Sequence, residues 1–214
     1  MHEAHPAFQY ATLPQQHDAA QLGMWTFLAT EVLFFGGLII GYFVYRFGYP
    51  ADFAAAGRHT KIAIGAINTG ILLTSSFLVA WAVTAAKLDL GRVAARLLVL
   101  ATLLGAIFLV LKGYEYLQEF HERLVPGRNF EFDAAHARGA MLFFIFYFAA
   151  TGLHALHVAI GLIVLLAIAA RARQGAYSLQ YHAPITVAGL YWHFVDVVWV
   201  FLFALIYLPG RSGA

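Results

Sequence analysis

GAMLFFIFYFAATGLHALHVAIGLIVLLAIAA, residues 139–170, contains no Asp, Glu, Lys or Arg. A helix at the surface of a soluble protein buries one apolar stripe and turns a polar face to water, but this run is apolar all round. As one helix it rises roughly 48 Å, against a hydrocarbon core about 30 Å thick. The run therefore reads as a membrane-spanning helix that tilts and projects beyond the bilayer on one side.

Four further runs have the same character. A span needs roughly 20 mostly apolar residues, and residues 22–45, 62–86, 97–117 and 186–208 supply them. Charge or turn residues mark the ends. Arg46, Gly48 and Pro50 close the first run, and Lys87, Asp89 and Gly91 close the second. Pro126 and Gly127 follow the third, Arg171 and Arg173 stop the fourth, and Pro209 and Gly210 follow the fifth. Helices are required because an unpaired backbone amide in hydrocarbon costs several kcal/mol. The expected fold is all-α: a polytopic membrane protein with a bundle of five transmembrane helices, forming a single membrane domain over residues 1–214.

Composition agrees. Hydrophobic residues make up 62% of the 214 and charged residues 11%, less than half the usual share of about a quarter. The formal net charge is +2, and no basic stripe gathers, which argues against nucleic acid as a partner. Cysteine is absent, so disulfides, thiolate metal sites, c-type haem attachment and Cys nucleophiles are excluded. The polar stretch 1–21, with His2, His5 and His17, reads as an extended tail or surface segment. The first apolar run has no basic segment before it and carries Glu31, so it does not read as a signal peptide. Lys87, Arg92, Arg96, Arg171 and Arg173 fall on one membrane side, and Arg46, Arg58, Lys61, Arg123, Arg128 and Arg138 on the other. The positive-inside rule leaves orientation open.

Ionisable groups inside the runs are the functional candidates, because such groups are costly in hydrocarbon. Glu31 lies roughly 14 Å into its run, near the midplane. It is either a buried structural carboxyl or a participant in proton traffic. His154 and His157 lie about 60° apart around one helix, and His193 and Asp196 repeat that spacing. The histidines read as interhelical hydrogen-bond partners or as haem ligands of a membrane cytochrome, His154 or His157 facing His193. Lys112, Glu115 and Tyr116 read as an ion pair and interfacial anchor. Trp192 and Trp199, seven apart, read as packing and interface anchors. Gly37 and Gly41, and Gly152 in the fourth run, present small faces for a neighbouring helix. Asn68, Thr69, Thr74, Ser75 and Ser76 give the second run a polar stripe in need of partners. No nucleotide loop, Ser–His–Asp set or pair of catalytic carboxylates is present, so no catalytic residue is expected. A transporter using Glu31 as its ion site would carry inverted repeats, and the chain halves show none.

Several of these stretches resemble one family. YWHFVDVVWVFLFALIY at 191–207 is similar to the closing helix of subunit III of haem–copper terminal oxidases, and ATGLHALHVAIG at 150–161 to its penultimate helix. LGMWTFLATEVLFFGG at 22–37 resembles its Glu-bearing helix, and KGYEY at 112–116 also fits. The resemblance implies an accessory subunit without a redox centre, the haems and copper lying in partner subunits I and II. It implies packing beside subunit I, bound phospholipid and support of proton uptake, with cytochrome c or a quinol as donor to the complex. Glu31 in place of an aspartate leans toward the cytochrome c type. By this likeness Glu31 is the family's buried carboxyl, and His154, His157, His193 and Asp196 form its polar network. The likeness also implies a bacterial cytoplasmic membrane with the amino terminus inside. Five runs match the shorter form of the family, which lacks the first two of seven helices.

Overall fold

The computed structural model describes residues 8–127, 129–177 and 181–211. His2, His5 and Arg128 lie outside the described residues. Six helices follow in order: α1 (Leu13–Gly48), α2 (Pro50–His59), α3 (Ile62–Lys87), α4 (Gly91–His121), α5 (Ala137–Arg173) and α6 (Ala183–Tyr207). All except α2 are long and apolar enough to cross a membrane, which gives the five expected spans.

The helices outrun the apolar segments that announced them. α1 begins at Leu13, so much of the expected tail is helical. Thr12 caps it by accepting the Gln15 amide at 3.3 Å, and Pro14 sits in the first turn, where its missing N–H costs nothing. α4 begins at Gly91 and takes in Arg92 and Arg96. Hydropathy finds only the lipid-immersed part of a helix, and polar residues continue the same hydrogen-bonded backbone into the interface. α5, at 37 residues, spans roughly 55 Å and is the overlong helix that its sequence demands.

α2 is the added element. Its ten residues are too short and too polar to register as a span, but Pro50 starts it, Asp52 lies in its first turn and Arg58 and His59 in its last. Those charges complement the helix dipole. Phe53 and Ala56 are fully buried. Phe53 meets Tyr42 and Phe143 edge-on, and Asp52 accepts a 2.7 Å bond from His136 at the start of α5.

α3, α4, α5 and α6 form a closed ring, each packed on the next and α6 on α3, while α1 lies against the outside of α5 and α6. Trp192 on α6 pins the ring. Its indole N–H donates to Ser75 Oγ on α3 at 3.1 Å. Its ring fills the space left by Gly105 on α4, where a Cβ would come within 2.8 Å, and by Gly161 on α5, again 2.8 Å. Trp199, two turns on, donates to Thr69 Oγ1 at 3.0 Å and stacks edge-to-face on Phe108. Both tryptophans are fully buried. They are central packing residues rather than interface anchors, because each N–H finds a hydroxyl inside the ring and has no need of water.

Candidate functional site

The ionisable groups fall into three places. The first is the seam between α1 and the ring. Glu31 Oε2 lies 3.1 Å from His157 Nε2, with the two side chains 16% and 11% exposed. His157 Nδ1 lies 2.9 Å from the Leu153 carbonyl. A carbonyl only accepts, so Nδ1 carries a proton. One further proton then lies on the line between Nε2 and the carboxyl, either as imidazolium with carboxylate or as imidazole with carboxylic acid. The position of His157 is fixed from several sides. Tyr191 donates to its backbone carbonyl at 3.0 Å, and Phe35 of α1 meets the ring edge-on.

Beside this seam α1 and α6 leave an apolar groove of about 670 Å³, with Trp25, Val32 and Leu33 on one wall and Phe194 and Val197 on the other. His193 is its polar lining residue. This second place ties α6 to α3, since His193 Nδ1 and Ser76 Oγ lie 2.6 Å apart. Asp196 is buried one turn away. Neither of its carboxyl oxygens makes a well-formed hydrogen bond, and Ser76 is its nearby polar group.

The third place is the far end of the ring interior. Lys112 Nζ donates to Glu115 Oε2 at 2.9 Å, Tyr147 OH at 2.8 Å and Tyr207 OH at 2.7 Å. All three ammonium protons are thus used. Tyr207 in turn donates to both Glu115 oxygens, at 2.8 and 3.0 Å. Lys112 is 2% exposed and Glu115 0%. The expected ion pair therefore lies inside the ring and is no interfacial anchor, since the two tyrosines complete its hydrogen bonds without water. Tyr116 OH bonds Thr151 Oγ1 at 2.6 Å at the edge of the cluster. Glu119, one turn beyond Glu115, is also buried, with neither oxygen in a well-formed bond and Tyr147 close by.

The structure does not bring the sequence candidates together as one network. His154 and His157 lie on one helix, but His154 is sealed between Phe108 and Trp199, and neither of its ring nitrogens has a partner. His157 points to Glu31 and His193 to Ser76. That arrangement gives no facing pair of histidines open to a haem, and among the described residues no three His, Asp or Glu gather around a metal position. Gly41 accepts the Phe146 ring at the 3.0 Å limit, while Gly37 is exposed with nothing near it, so the small face of α1 is used at one position. Gly152 has the Tyr116 hydroxyl at 3.7 Å and no helix backbone close. Of the second-run polar stripe, Asn68 is fully buried with its amide unpartnered.

Sequence reasoning missed Glu119, Tyr147 and Tyr207. A tyrosine in an apolar run looks like an aromatic packing residue, and its hydroxyl matters only once a lysine from another helix is placed against it. The signal that was available is arithmetic: a buried ammonium has three protons, and Glu115 takes one.

Five spans, with carboxylates, imidazoles and an ammonium held inside the packed helices, define a polytopic helical membrane protein. A model of the family "Cytochrome c oxidase subunit III" matches residues 6–211. The cytochrome c oxidase subunit 3 of Thermostichus vulcanus is 33% identical over 195 residues, covering 91% of this chain and 89% of that one. That of Alkalihalophilus pseudofirmus is 34% identical over 192 residues, covering 90% and 87%. That of Latimeria chalumnae is 31% identical over 205 residues, covering 93% and 72%. The chain belongs to the cytochrome c oxidase subunit III family, and is an integral membrane subunit of an oxidase complex of the respiratory chain.

Proposed function

We propose that the chain is the accessory subunit of a proton-pumping haem–copper oxygen reductase. It packs on subunit I, stabilises the complex and supports proton uptake, and carries no redox centre of its own. Haem and copper belong to subunits I and II. The donor to the complex is cytochrome c, following the names of the relatives. The amino terminus is cytoplasmic, and phospholipid occupies the groove between α1 and α6. The observation that carries the proton role is the 3.1 Å approach of Glu31 Oε2 to His157 Nε2, two groups that can share a proton. The pair sits at the seam of α1, partly exposed, where a small movement of α1 changes the distance between the two groups.

The test is Glu31→Gln in the assembled complex. Glutamine keeps the shape and one hydrogen bond to His157 but cannot exchange a proton. Copurification of subunits I and II should persist, while sustained turnover and proton uptake change. Unaltered turnover over prolonged assay would reduce Glu31 to a structural group and remove the proton role. Loss of subunits I and II from the wild-type preparation would defeat the accessory-subunit reading itself.

A further inference from the structure

We propose that Arg92, Arg96 and Arg173 form a binding site for the phosphate of an anionic phospholipid headgroup, where α4 begins and α5 ends. Among the described residues, these three side chains line a recess of about 430 Å³. All three are exposed, and none is ion-paired or hydrogen-bonded to a described residue. Asp89, the one acid in the α3–α4 turn, pairs with none of them. Three converging cations repel one another, and Arg92 also lies in the first turn of α4, which has no acidic residue and no side-chain cap. The helix dipole is positive there and disfavours a further cation. The arrangement is therefore short of an anion. The planar fork of a guanidinium matches phosphate oxygens two at a time.

What lies next to the recess distinguishes a lipid from a soluble anion. Arg96 continues along its own face of α4 into Leu100, Leu103 and Ile107, all exposed, at the three- and four-residue spacing that keeps them in one stripe. Arg173 continues likewise into Leu166 on α5. Cations at the helix ends above uncovered apolar stripes fit a charged headgroup above acyl chains. Basic pockets between transmembrane helices hold such headgroups.

The experiment uses the full-length chain with its copurifying subunits, delipidated in neutral detergent and followed by native mass spectrometry. The probes are dioleoylphosphatidylglycerol, dioleoylphosphatidylcholine and inorganic phosphate. Wild type should hold the glycerol lipid in preference to the choline lipid, and the preference should fall as salt rises. R92Q/R96Q/R173Q should weaken phosphatidylglycerol binding on the order of a hundredfold, at about fivefold for each arginine near an anionic surface, and leave phosphatidylcholine unchanged. The triple lysine variant should fall between. Equal retention of both lipids by wild type, or an unchanged phosphatidylglycerol affinity in the glutamine variant, would overturn the site. Displacement by millimolar inorganic phosphate would mean a soluble anion instead. Loss of other subunits from the glutamine variant would mean that a partner protein's acids cover the arginines. If the glutamine variant does not fold, the triple lysine variant, which keeps the charge, decides the question: a phosphatidylglycerol affinity unchanged from wild type would overturn the site.

Discussion

Replacing Lys112 with methionine isolates the ring's buried ionic cluster. The side chains have similar length, so packing is nearly kept, and the change removes a charge with three hydrogen bonds to Glu115, Tyr147 and Tyr207. Three neutral interhelical bonds would cost about 2 kcal/mol at ~0.6 each. Here Glu115 is left as a fully buried carboxylate facing only the Tyr207 hydroxyl, with Glu119 close behind it. Breaking a buried pair by removing one partner costs about 3–5 kcal/mol, because the remaining charge is uncompensated. Removing both charges relieves that penalty. Lys112→Met/Glu115→Leu should therefore cost only about 1–2 kcal/mol, the share of two tyrosine hydroxyls that lose partners. The assay is SDS unfolding in mixed micelles, read by tryptophan fluorescence, since Trp192 and Trp199 are both buried in the ring. A single-variant cost below about 1 kcal/mol, or a double-variant cost equal to the two single changes summed, would refute an uncompensated buried charge at Glu115.

Gly105→Ala should lower stability by about 1–3 kcal/mol in the same assay, the usual cost of overpacking, because its new methyl would meet Leu162 at 2.6 Å and the Trp192 ring at 2.8 Å. Gly37→Ala, in open space, should leave stability unchanged within about 0.5 kcal/mol. His154→Leu should be neutral or stabilising, since it removes two buried nitrogens with no partner and keeps an apolar body between Phe108 and Trp199. His193→Leu should instead lose about 1 kcal/mol and lower the yield of assembled complex, because it strips Ser76 of its 2.6 Å partner. Equal effects of the two histidine changes would contradict the separation of their environments.

That separation explains what the sequence could and could not reveal. Spans were legible because hydropathy responds to lipid contact, and the break at Pro50 is local chemistry. Helix rotation was not. α5 is apolar on every face, so nothing in its pattern says which side meets α6 and which meets α1. His154 and His157, three residues apart, looked like one pair. A rotation of about 60° puts one into an aromatic box and the other on Glu31. The same ambiguity hid Tyr147 and Tyr207 behind Lys112. α2 was missed for a different reason: it is held by Phe53 and Ala56 under α5 and α6, a tertiary contact without a composition signal. Family resemblance could name Glu31 and the histidines as significant, but their partners depend on rotations that only the packed bundle specifies.

The arrangement of polar groups follows the hierarchy of the packing. Inside the ring, Trp192, Trp199 and the Lys112 cluster join helices by hydrogen bonds that are complete without water, so these groups have little freedom to exchange protons or partners. α1 is attached differently. It lies outside the ring, much of its surface is uncovered, and its polar links to the ring include, at separate heights, Glu31 to His157 and Tyr42 OH to the Leu205 carbonyl at 2.6 Å. A tyrosine-to-carbonyl bond has one possible proton position. The Glu31–His157 link has two, and which is preferred depends on the field and solvation that the neighbours of α1 provide. A subunit or lipid seated in the α1–α6 groove would change both. The polar link whose hydrogen bond can be made in either direction is therefore also the one that lies at the partly exposed seam of α1, within reach of whatever packs there.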